Sequence, residues 1–291
     1  MLSLHTNAAA LSAQNSIGST QSKLSTSMTR LSTGYRINSA MDDAAGLQIA
    51  TRLQAQTSGM AMAMRNTQNS ISMMQTAEGS FDEVTNMLVR MKDLATQAAD
   101  ASSTAADKTA MQSEFDALTN ELSNVMGNTT FGGTALLKDT TGTLSTGVVN
   151  FQIGASTSET MAIDVSGSIA TLHASLLTAS AEYSSSGTAS TATGAELTGA
   201  ASATIDLLSK AIDDVGTVRS ALGAASNRLD HVYNNLSNIS TNTKAASGRI
   251  MDVDYASETS NMTSQQMLMQ AGTAMLKQSN SMSSLVMSLL Q

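Results

Sequence analysis

The feature that most constrains this 291-residue chain is the spacing of apolar side chains near its C-terminal end. They recur in alternating steps of three and four residues, at Val218, Leu222, Ala225, Leu229, Val232, Leu236, Ile239, Ala246 and Ile250, with Thr243 as the one polar member. Steps of this size return to one side of an α-helix, and a sustained heptad repeat packs that side against another helix. A similar stripe runs from Ile205 to Val215, after which the spacing slips by one residue. We therefore predict one long helix from about residue 200 to about residue 246.

Two more stripes of this kind occupy the N-terminal half of the chain. The first contains Met64, Ile71, Met74, Phe81, Val84, Leu88, Met91, Ala95 and Ala98, and the second contains Met111, Phe115, Leu118, Leu122 and Val125. They predict helices of about 55 and about 20 residues, and the longer one far exceeds the mean globular helix of about 11 to 12 residues. Helices this long favour antiparallel packing side by side. The predicted fold class is therefore mainly α, a long antiparallel helical bundle or coiled coil.

Local signals indicate where the first helices meet a connector. Gly34 follows Leu31 at the position where a glycine in the left-handed conformation commonly ends a helix. Ser39 and Asp42 match the pattern in which a hydroxyl and a carboxylate three residues later satisfy the first free amides of a helix. We therefore expect one helix to end at Gly34 and the next to start at Ser39, with Asp42 and Asp43 in its first turn.

The middle of the chain has a different periodicity. Apolar and polar residues alternate in two short runs, at Val149, Phe151 and Ile153 and then at Met161, Ile163 and Val165. Two such runs around a polar stretch predict a small β-hairpin with residues 154–160 as its loop. Residues 184–204 are nearly all Ser, Thr, Ala or Gly, which offer little apolar area to bury. We therefore predict a short Ser/Thr/Ala/Gly-rich surface excursion over residues 171–199.

Both ends of the chain are amphipathic and carry almost no charge. The apolar positions expected to mediate assembly are Leu4, Leu11, Ile17, Leu24, Met28 and Leu31 near the N-terminus, and Leu268, Met275, Met282, Val286 and Leu289 near the C-terminus. Thr6 or Asn7 is the candidate cap of the first helix. Pairing the two ends in one hairpin would still leave apolar surface exposed. We therefore expect many copies of the chain to pack together and to order both ends.

Composition argues against several kinds of chemistry. The chain has no cysteine, which removes disulfides and thiolate chemistry, and its net charge of −8 argues against nucleic acid as a partner. His5, His173 and His231 lack the spacing of metal ligands. Asp252 and Asp254 lack the other ligands of a calcium loop and are interpreted as caps of the last helix. With no catalytic or nucleotide-binding motif present, we predict no enzyme activity, no cofactor and no metal.

Five segments, in this order along the chain, closely resemble segments of bacterial flagellins. They are RLSTGYRINSAMDDAAGLQIATRL at 30–53, QTAEGSFDEV at 75–84, FGGTALL at 131–137, FQIGASTSETMAIDV at 151–165 and RIMDVDYASETSNMTSQQMLMQAGTAML at 249–276. The resemblance covers residues 1–165 and 200–291. The chain departs from the family at Met41, where Lys is common, at residues 281–284, where a Pro is usual, and at Gln291, where Arg is frequent.

The resemblance implies a domain organisation. An inner terminal coiled-coil domain would comprise residues 1–43 with 247–291, so that the N- and C-termini pair in an inner helical layer. A helical rod domain with the β-hairpin would comprise residues 44–170 with 200–246. The implied function is that of a structural subunit that polymerises into the extracellular flagellar filament for motility.

The resemblance also implies partners. Besides further copies of itself, these are the flagellar secretion apparatus, a flagellin export chaperone, and the hook-associated junction and cap proteins. Export by that apparatus agrees with the sequence, in which no run of about 18 apolar residues predicts a transmembrane helix and no cleavable secretory signal is recognisable. We expect neither membrane insertion nor a nucleic-acid partner.

A host partner is a further implication. Some flagellins present a surface to a Toll-like receptor, and the matching positions here hold Arg90, Leu94, Gln97 and Glu114. These residues are compatible with receptor recognition and equally with filament contacts or simple solvation.

Two other functions compete with this interpretation. A hook–filament junction protein of the same superfamily shares the terminal features but forms a limited ring, and the continuous match through both helical segments favours a flagellin. A non-flagellar coiled-coil assembly protein, or a membrane-active one, should have polar faces rich in Lys and Arg, which this chain lacks.

Overall fold

The computed structural model describes residues 7–188, 190 and 193–289, with residues 282–289 described by their backbone. The elements in chain order are α1 (Ala8–Thr33), α2 (Ala44–Ala99), α3 (Ala105–Asn128), β1 (Thr130–Phe131), β2 (Thr134–Ala135), β3 (Val149–Gln152), β4 (Thr160–Ile163), α4 (Ser166–Ala179), α5 (Glu196–Gly199), α6 (Ala201–Met251) and α7 (Tyr255–Leu289). The mainly α prediction is therefore confirmed, and the long predicted helices correspond to α2, α3 and α6.

The chain divides into two compact units. The terminal unit contains the residues up to Thr57 and those from Thr241 onward, and the central unit contains Ser58–Ser240. Both boundaries fall inside long helices, so α2 and α6 each contribute residues to both units. The domain boundaries expected from the sequence, at 43/44 and 246/247, concern layers of a filament and stay a prediction, because compact units of one chain need not coincide with the layers of an assembly.

Helices of the central unit pack antiparallel. Arg219 of α6 donates from Nε to Glu78 of α2 at 2.9 Å, and further along both helices Leu236 packs in one cluster with Met60 and Ala63. From the first contact to the second, the residue number rises along α6 and falls along α2, so the two helices run in opposite directions. The hydrogen bond to Glu78 also raises the pKa of the Arg219 guanidinium.

The core of the central unit is built from large apolar side chains. Its fully buried members include Phe81, Leu88, Phe115, Leu122, Leu144, Ile169, Leu208 and Leu222. Along α6 the predicted heptad positions from Val218 to Leu229 are buried, but Ile239 is exposed and Ser240 is buried instead. A straight α-helix drifts against a strict heptad repeat, and the buried stripe has shifted by one position here.

The β-hairpin is confirmed. Strand β3 pairs with β4 antiparallel, with Phe151 opposite Met161. Met161 and Ile163 point into the central core, as the alternation predicted. A second pair, β1 with β2, was not predicted, because its strands are too short for an alternating pattern.

Residues 171–179, predicted as the start of the surface excursion, instead form the C-terminal part of α4. The buried residues of this helix include Ile169, Leu172, His173 and Leu176. The spacing of these residues is helical, but small residues on either side obscured it in the sequence.

The segment that follows α4 is hydrogen-bonded to polar side chains of α3. Asn120 of α3 accepts from the backbone N–H of Ser190 at 2.8 Å and donates to its carbonyl at 3.2 Å. Gln112 of α3 accepts from the N–H of Leu197 at 2.7 Å, and Leu197 is buried. The described residues of this small-residue segment are therefore held in part by hydrogen bonds to a neighbouring helix, which composition alone does not reveal.

The connector between α1 and α2 corrects one predicted boundary. Gly34, with φ +76°, ends α1 as expected. Helix α2 begins at Ala44 and not at Ser39, because Asp43 caps it by accepting from the N–H of Gly46 at 2.8 Å. Asp42 instead closes a turn by accepting from the N–H of Ser39 at 2.9 Å, and the backbone hydrogen bonds from Ser39 and Asn38 lower its pKa.

Candidate assembly surface

Helices α1 and α7 run antiparallel along each other in the terminal unit. At one end Asn7 caps α1 by accepting from Ala10 N–H at 3.1 Å, and its Nδ2 donates to the Ser279 carbonyl at 3.2 Å. At the other end Arg30 Nη1 lies 3.8 Å from Glu258 Oε2. The backbone N–H of Val253 donates to the Gly34 carbonyl at 3.0 Å. These contacts confirm that the two ends of the chain pair with each other.

The seam between α1 and α7 follows a heptad repeat on both helices. Its members are Ala10, Ala13, Ile17, Thr20, Leu24, Ser27 and Leu31 on α1, and Glu258, Met262, Gln265, Met269, Gly272, Leu276 and Ser279 on α7, all of them buried or half-buried. At Gly272 a Cβ would lie 2.9 Å from Ile17 Cγ1, so glycine permits this close approach. More than half of the seam residues are small or polar, and of the α1 residues only Leu24 and Ser27 are buried. The seam therefore buries little apolar area.

Among the described side chains of α1 and α7, five leucines and methionines are exposed outside the seam. They are Leu11 (63% exposed), Met28 (48%), Met267 (59%), Leu268 (57%) and Met275 (67%), which we call the outward apolar set. At about 100° per residue, Leu11 and Met28 project about 100° apart around α1. The apolar exposure is thus not confined to one side of the helix pair.

The residues predicted to mediate assembly separate into distinct groups in the structure. Ile17, Leu24 and Leu31 lie in the seam of this chain, whereas Leu11, Met28, Leu268 and Met275 are exposed. Leu4 and the side chains of Met282, Val286 and Leu289 lie outside the described residues.

Helix α7 carries two parallel apolar stripes, and the sequence does not show which of them faces α1. Leu268 and Met275 were expected as one stripe, but Met262, Met269 and Leu276 form another with the same seven-residue spacing and occupy the seam. Met267 belongs to the outward apolar set and was missed, because it fits neither stripe.

Charged side chains are scarce around the outward apolar set. Lys23 is the one charged residue of α1 before Arg30, and Lys277 is the one charged residue of α7 after Glu258. Repulsion between like charges would therefore oppose the close approach of further copies only weakly.

The predicted receptor surface lies on α2 and α3 of the central unit. Arg90 donates to Glu114 Oε1 from Nε at 2.8 Å and from Nη2 at 2.6 Å, and both residues are exposed, as is Gln97. Leu94 is 3% exposed and packs in the core, so it is not available on this surface.

The buried histidine of α4 has a structural environment. His173 Nε2 lies 2.9 Å from the Leu137 carbonyl, which can only accept, so Nε2 carries the proton and Nδ1 accepts from the Tyr183 hydroxyl at 2.6 Å. Burial, and then the charge of Asp139, raises the pKa of Tyr183, so its hydroxyl stays a donor. These hydrogen bonds tie α4 to the chain before and after it.

In the described part of the chain, no cluster of three or more His, Asp or Glu is placed to hold a metal ion, and no helix is long and apolar enough to span a membrane. Asp254 accepts from the N–H of Ala256 at 3.1 Å, which confirms its interpretation as a helix cap.

Known proteins resemble this chain along most of its length. The family model of the bacterial flagellin N-terminal helical region matches residues 4–141, and that of the C-terminal helical region matches residues 205–290. Polar flagellin F of Vibrio parahaemolyticus is 34% identical over 379 aligned residues, covering 99% of each chain. A flagellin of Halalkalibacterium halodurans is 37% identical over 286 residues, covering 98% of each chain.

Among solved structures, a proposed flagellar hook-associated protein of Vibrio parahaemolyticus aligns with a TM-score of 0.54 and 17% identity, covering 72% of this chain and 100% of that one. Identity this low establishes a shared fold and nothing about function. The full-length relatives are flagellins, so they favour a flagellin over the junction-protein alternative. The chain therefore belongs to the bacterial flagellin family, the structural subunits of the flagellar filament.

Proposed function

We propose that this chain polymerises into the extracellular filament through its paired terminal helices, with neighbouring copies covering the outward apolar set. The proposal is supported by the exposure of Leu11, Met28, Leu268 and Met275 on a helix pair whose own seam buries little apolar area. Burying a large apolar side chain fully contributes about 1.5 to 3 kcal/mol, so five such residues form a substantial driving force for association.

The arrangement of these residues favours a polymer over a dimer. A two-fold dimer uses one patch on each copy, and it would leave part of an outward apolar set that extends around the helix pair uncovered. Repeated head-to-tail contacts surround each copy with several neighbours and need not close. A helical filament satisfies both conditions.

A charge substitution on α7 tests the proposal. Leu268→Asp and Met275→Asp each place a carboxylate where a neighbouring copy should pack, and an unpaired buried charge is far costlier than an exposed one. We expect either variant to raise the critical concentration for seeded polymerisation by at least about a hundredfold. The measurement is sedimentation of polymer with electron microscopy of the pellet.

Leu177→Asp provides the control for this test. Leu177 is 51% exposed, similar to Leu268, but belongs to α4 of the central unit. The control should polymerise close to the wild-type protein, and all three monomers should keep the same circular dichroism. Normal filaments from both α7 variants would refute the proposal.

The same helices are the proposed contact for export and for the filament ends. An export chaperone that covers the outward residues of α7 would keep subunits from polymerising before the flagellar secretion apparatus transfers them, and junction and cap proteins would bind the terminal helices of end subunits. Leu268→Asp should then weaken chaperone binding as well as polymerisation. Unchanged binding in calorimetry would place the chaperone contact elsewhere.

The exposed Arg90–Glu114 pair, with Gln97, is the proposed Toll-like receptor surface. Arg90→Ala should lower the signal of monomeric protein in receptor reporter cells, because it removes a cation that the receptor would contact. Arg65→Ala, at an exposed arginine elsewhere on α2, is the control. An equal signal from Arg90→Ala and wild type would argue against this surface.

A further inference from the structure

Methionine is abundant in this chain, with 20 residues, and those whose side chains the structure describes differ widely in exposure. Met60, Met73, Met74, Met91, Met111, Met126 and Met161 are buried in the central unit. The exposed ones include Met28, Met267 and Met275, which make up most of the outward apolar set. The surface proposed to pack against other copies thus consists largely of thioethers accessible to solvent in the single chain.

We propose that Met28, Met267 and Met275 are a modification site, at which oxidation by a peroxide prevents the unassembled subunit from joining a filament. The inference rests on the proposed function, because it requires these residues to be covered by neighbouring copies.

The chemistry needs no catalytic group from the protein. A lone pair of the methionine sulfur attacks one oxygen of hydrogen peroxide, the S–O bond forms, and the O–O bond breaks. The departing hydroxide takes up the proton left by the transferred oxygen, so that water is released. Sulfur loses two electrons and peroxide gains them. Access of peroxide to sulfur governs the rate, so exposed methionines react before those of the central core.

Oxidation to the sulfoxide removes the apolar character on which packing of these side chains depends. A sulfoxide is polar and carries a strong hydrogen-bond acceptor, whereas the thioether it replaces is apolar. Covering it with a neighbouring copy removes its water. Ser, Thr, Asn and Gln are frequent on α1 and α7, but a contact built to pack an apolar thioether does not place one of their donors against the sulfur, so the sulfoxide oxygen loses its hydrogen bond. We expect one sulfoxide in this set to raise the critical concentration by about tenfold, and two or three to raise it further.

Oxidation at these methionines should be confined to the unassembled subunit, in which their sulfur atoms are exposed. In a filament the same sulfur atoms would be covered, so peroxide added after polymerisation should oxidise them slowly. Methionine sulfoxide reductases return the sulfoxide to the thioether, so treatment of oxidised monomer with these enzymes should restore polymerisation.

The experiment uses full-length monomer treated with hydrogen peroxide, with the peroxide then removed by catalase. Peptide mass mapping gives the oxidised fraction at each methionine, and seeded polymerisation gives the critical concentration. The protected variant is Met28→Leu with Met267→Leu and Met275→Leu, which keeps apolar side chains of similar size. The matched control is Met41→Leu with Met62→Leu, at exposed methionines outside α1 and α7.

We expect oxidised wild type and the oxidised control to lose polymerisation to the same extent, and the protected variant to keep it. An independent measurement needs no variant. When partly oxidised wild type is polymerised, sulfoxides at residues 28, 267 and 275 should be enriched in the supernatant and depleted in the pellet.

Equal sulfoxide content in pellet and supernatant would overturn the inference, as would an equal loss of polymerisation in the protected variant. The Leu268→Asp variant separates this failure from failure of the proposed function. If that variant is blocked while oxidation has no effect, only the oxidation inference is wrong. If that variant also polymerises normally, the proposed assembly surface is wrong as well.

Discussion

The terminal and central units are built from helices of the same kind, but they bury very different amounts of apolar surface. In the central unit α2, α3, α4 and α6 enclose a core of fully buried Leu, Phe and Met side chains. Among the described side chains of the terminal unit, the buried apolar ones are Leu24, Ile37 and Ala50. An apolar stripe therefore indicates that a helix packs against a partner. It does not show whether that partner belongs to the same chain or to a neighbouring copy.

This difference has a consequence for stability. A core of many fully buried side chains supports cooperative folding, whereas a thin two-helix seam opens locally at low free energy. The central unit should thus carry most of the stability of the monomer, and the terminal unit should gain its stability from neighbouring copies. Matched substitutions in the two units can test this division.

The largest expected contrast comes from one leucine in each unit. Leu88→Ala, at a fully buried site of the central core, should lower the free energy of unfolding of the monomer by about 2 to 5 kcal/mol. Leu24→Ala, at a site only 5% exposed in the terminal seam, should lower it by less than about 1 kcal/mol, because that seam adds little to the global transition. Urea denaturation of monomers measures both. Equal losses would remove the contrast between the units.

A smaller loss is expected from the buried hydrogen bonds of α4. Tyr183→Phe removes the hydroxyl that donates to His173 Nδ1 and leaves a buried acceptor unpaired, at a cost of about 1 to 3 kcal/mol. The raised pKa of Tyr183 gives a second observable. Its proton is held more tightly in the folded chain than in the unfolded chain, so this stabilisation is complete below about pH 10 and is lost as the pH rises further.

Phenolate absorbance tests that second observable. While folded, wild type and Tyr183→Phe should show the same phenolate absorbance as the pH is raised, and they should differ only once the wild type unfolds. A difference between the folded proteins would mean that Tyr183 loses its proton in the native state, which would contradict the raised pKa caused by its burial.

Structure that arises within one segment could be predicted from the sequence, whereas contacts between segments far apart in the chain could not. Long apolar stripes such as Phe81 to Ala98 predicted α2, α3 and α6, because helix periodicity is a property of the segment itself. The hydrogen bonds that hold Ser190 and Leu197 were missed, because Asn120 and Gln112, which make them, lie on a helix distant in the sequence. Polar contacts at long sequence separation leave no periodic signal.

The assembly residues were only partly predictable for a related reason. The composition of α1 and α7 indicated that apolar surface would remain exposed, but which stripe faces the partner helix depends on the rotation of each helix about its axis. Leu268 and Leu276 look alike in the sequence, and only the contacts of α7 with α1 place Leu276 in the seam. Contacts in three dimensions were needed to separate the seam from the outward apolar set.

Helix caps provide a third and smaller comparison between the units. Thr104 caps α3 in the central unit, and its hydroxyl accepts from the N–H of Asp107 at 3.3 Å. Thr104→Ala should therefore destabilise the monomer by about 1 kcal/mol. Asn7→Ala removes the cap of α1 and should leave thermal unfolding of the monomer unchanged while slowing polymerisation. A larger thermal shift for Asn7→Ala than for Thr104→Ala would reverse the assignment of stability.

The smallest expected effect is the response of the central unit to acid. Hydrogen bonds from the Thr104 hydroxyl and N–H lower the pKa of Asp107. The carboxylate then binds its proton more weakly in the folded chain than in the unfolded chain, so it stabilises the fold at neutral pH and stops doing so as the pH falls below about 4. Asp107→Asn should make the melting temperature less sensitive to pH in that range. An identical pH profile for variant and wild type would contradict this role.

Hydrogen exchange of the monomer and of the filament, followed by mass spectrometry, tests the central claim most directly. In the monomer, buried helices of the central unit such as residues 81–98 should be strongly protected, while residues 8–33 and 255–281 exchange rapidly. In the filament, these terminal segments should become protected as strongly as the central core. Strong protection of both terminal segments in the isolated monomer would contradict the account, because it would mean that one chain already stabilises its own ends.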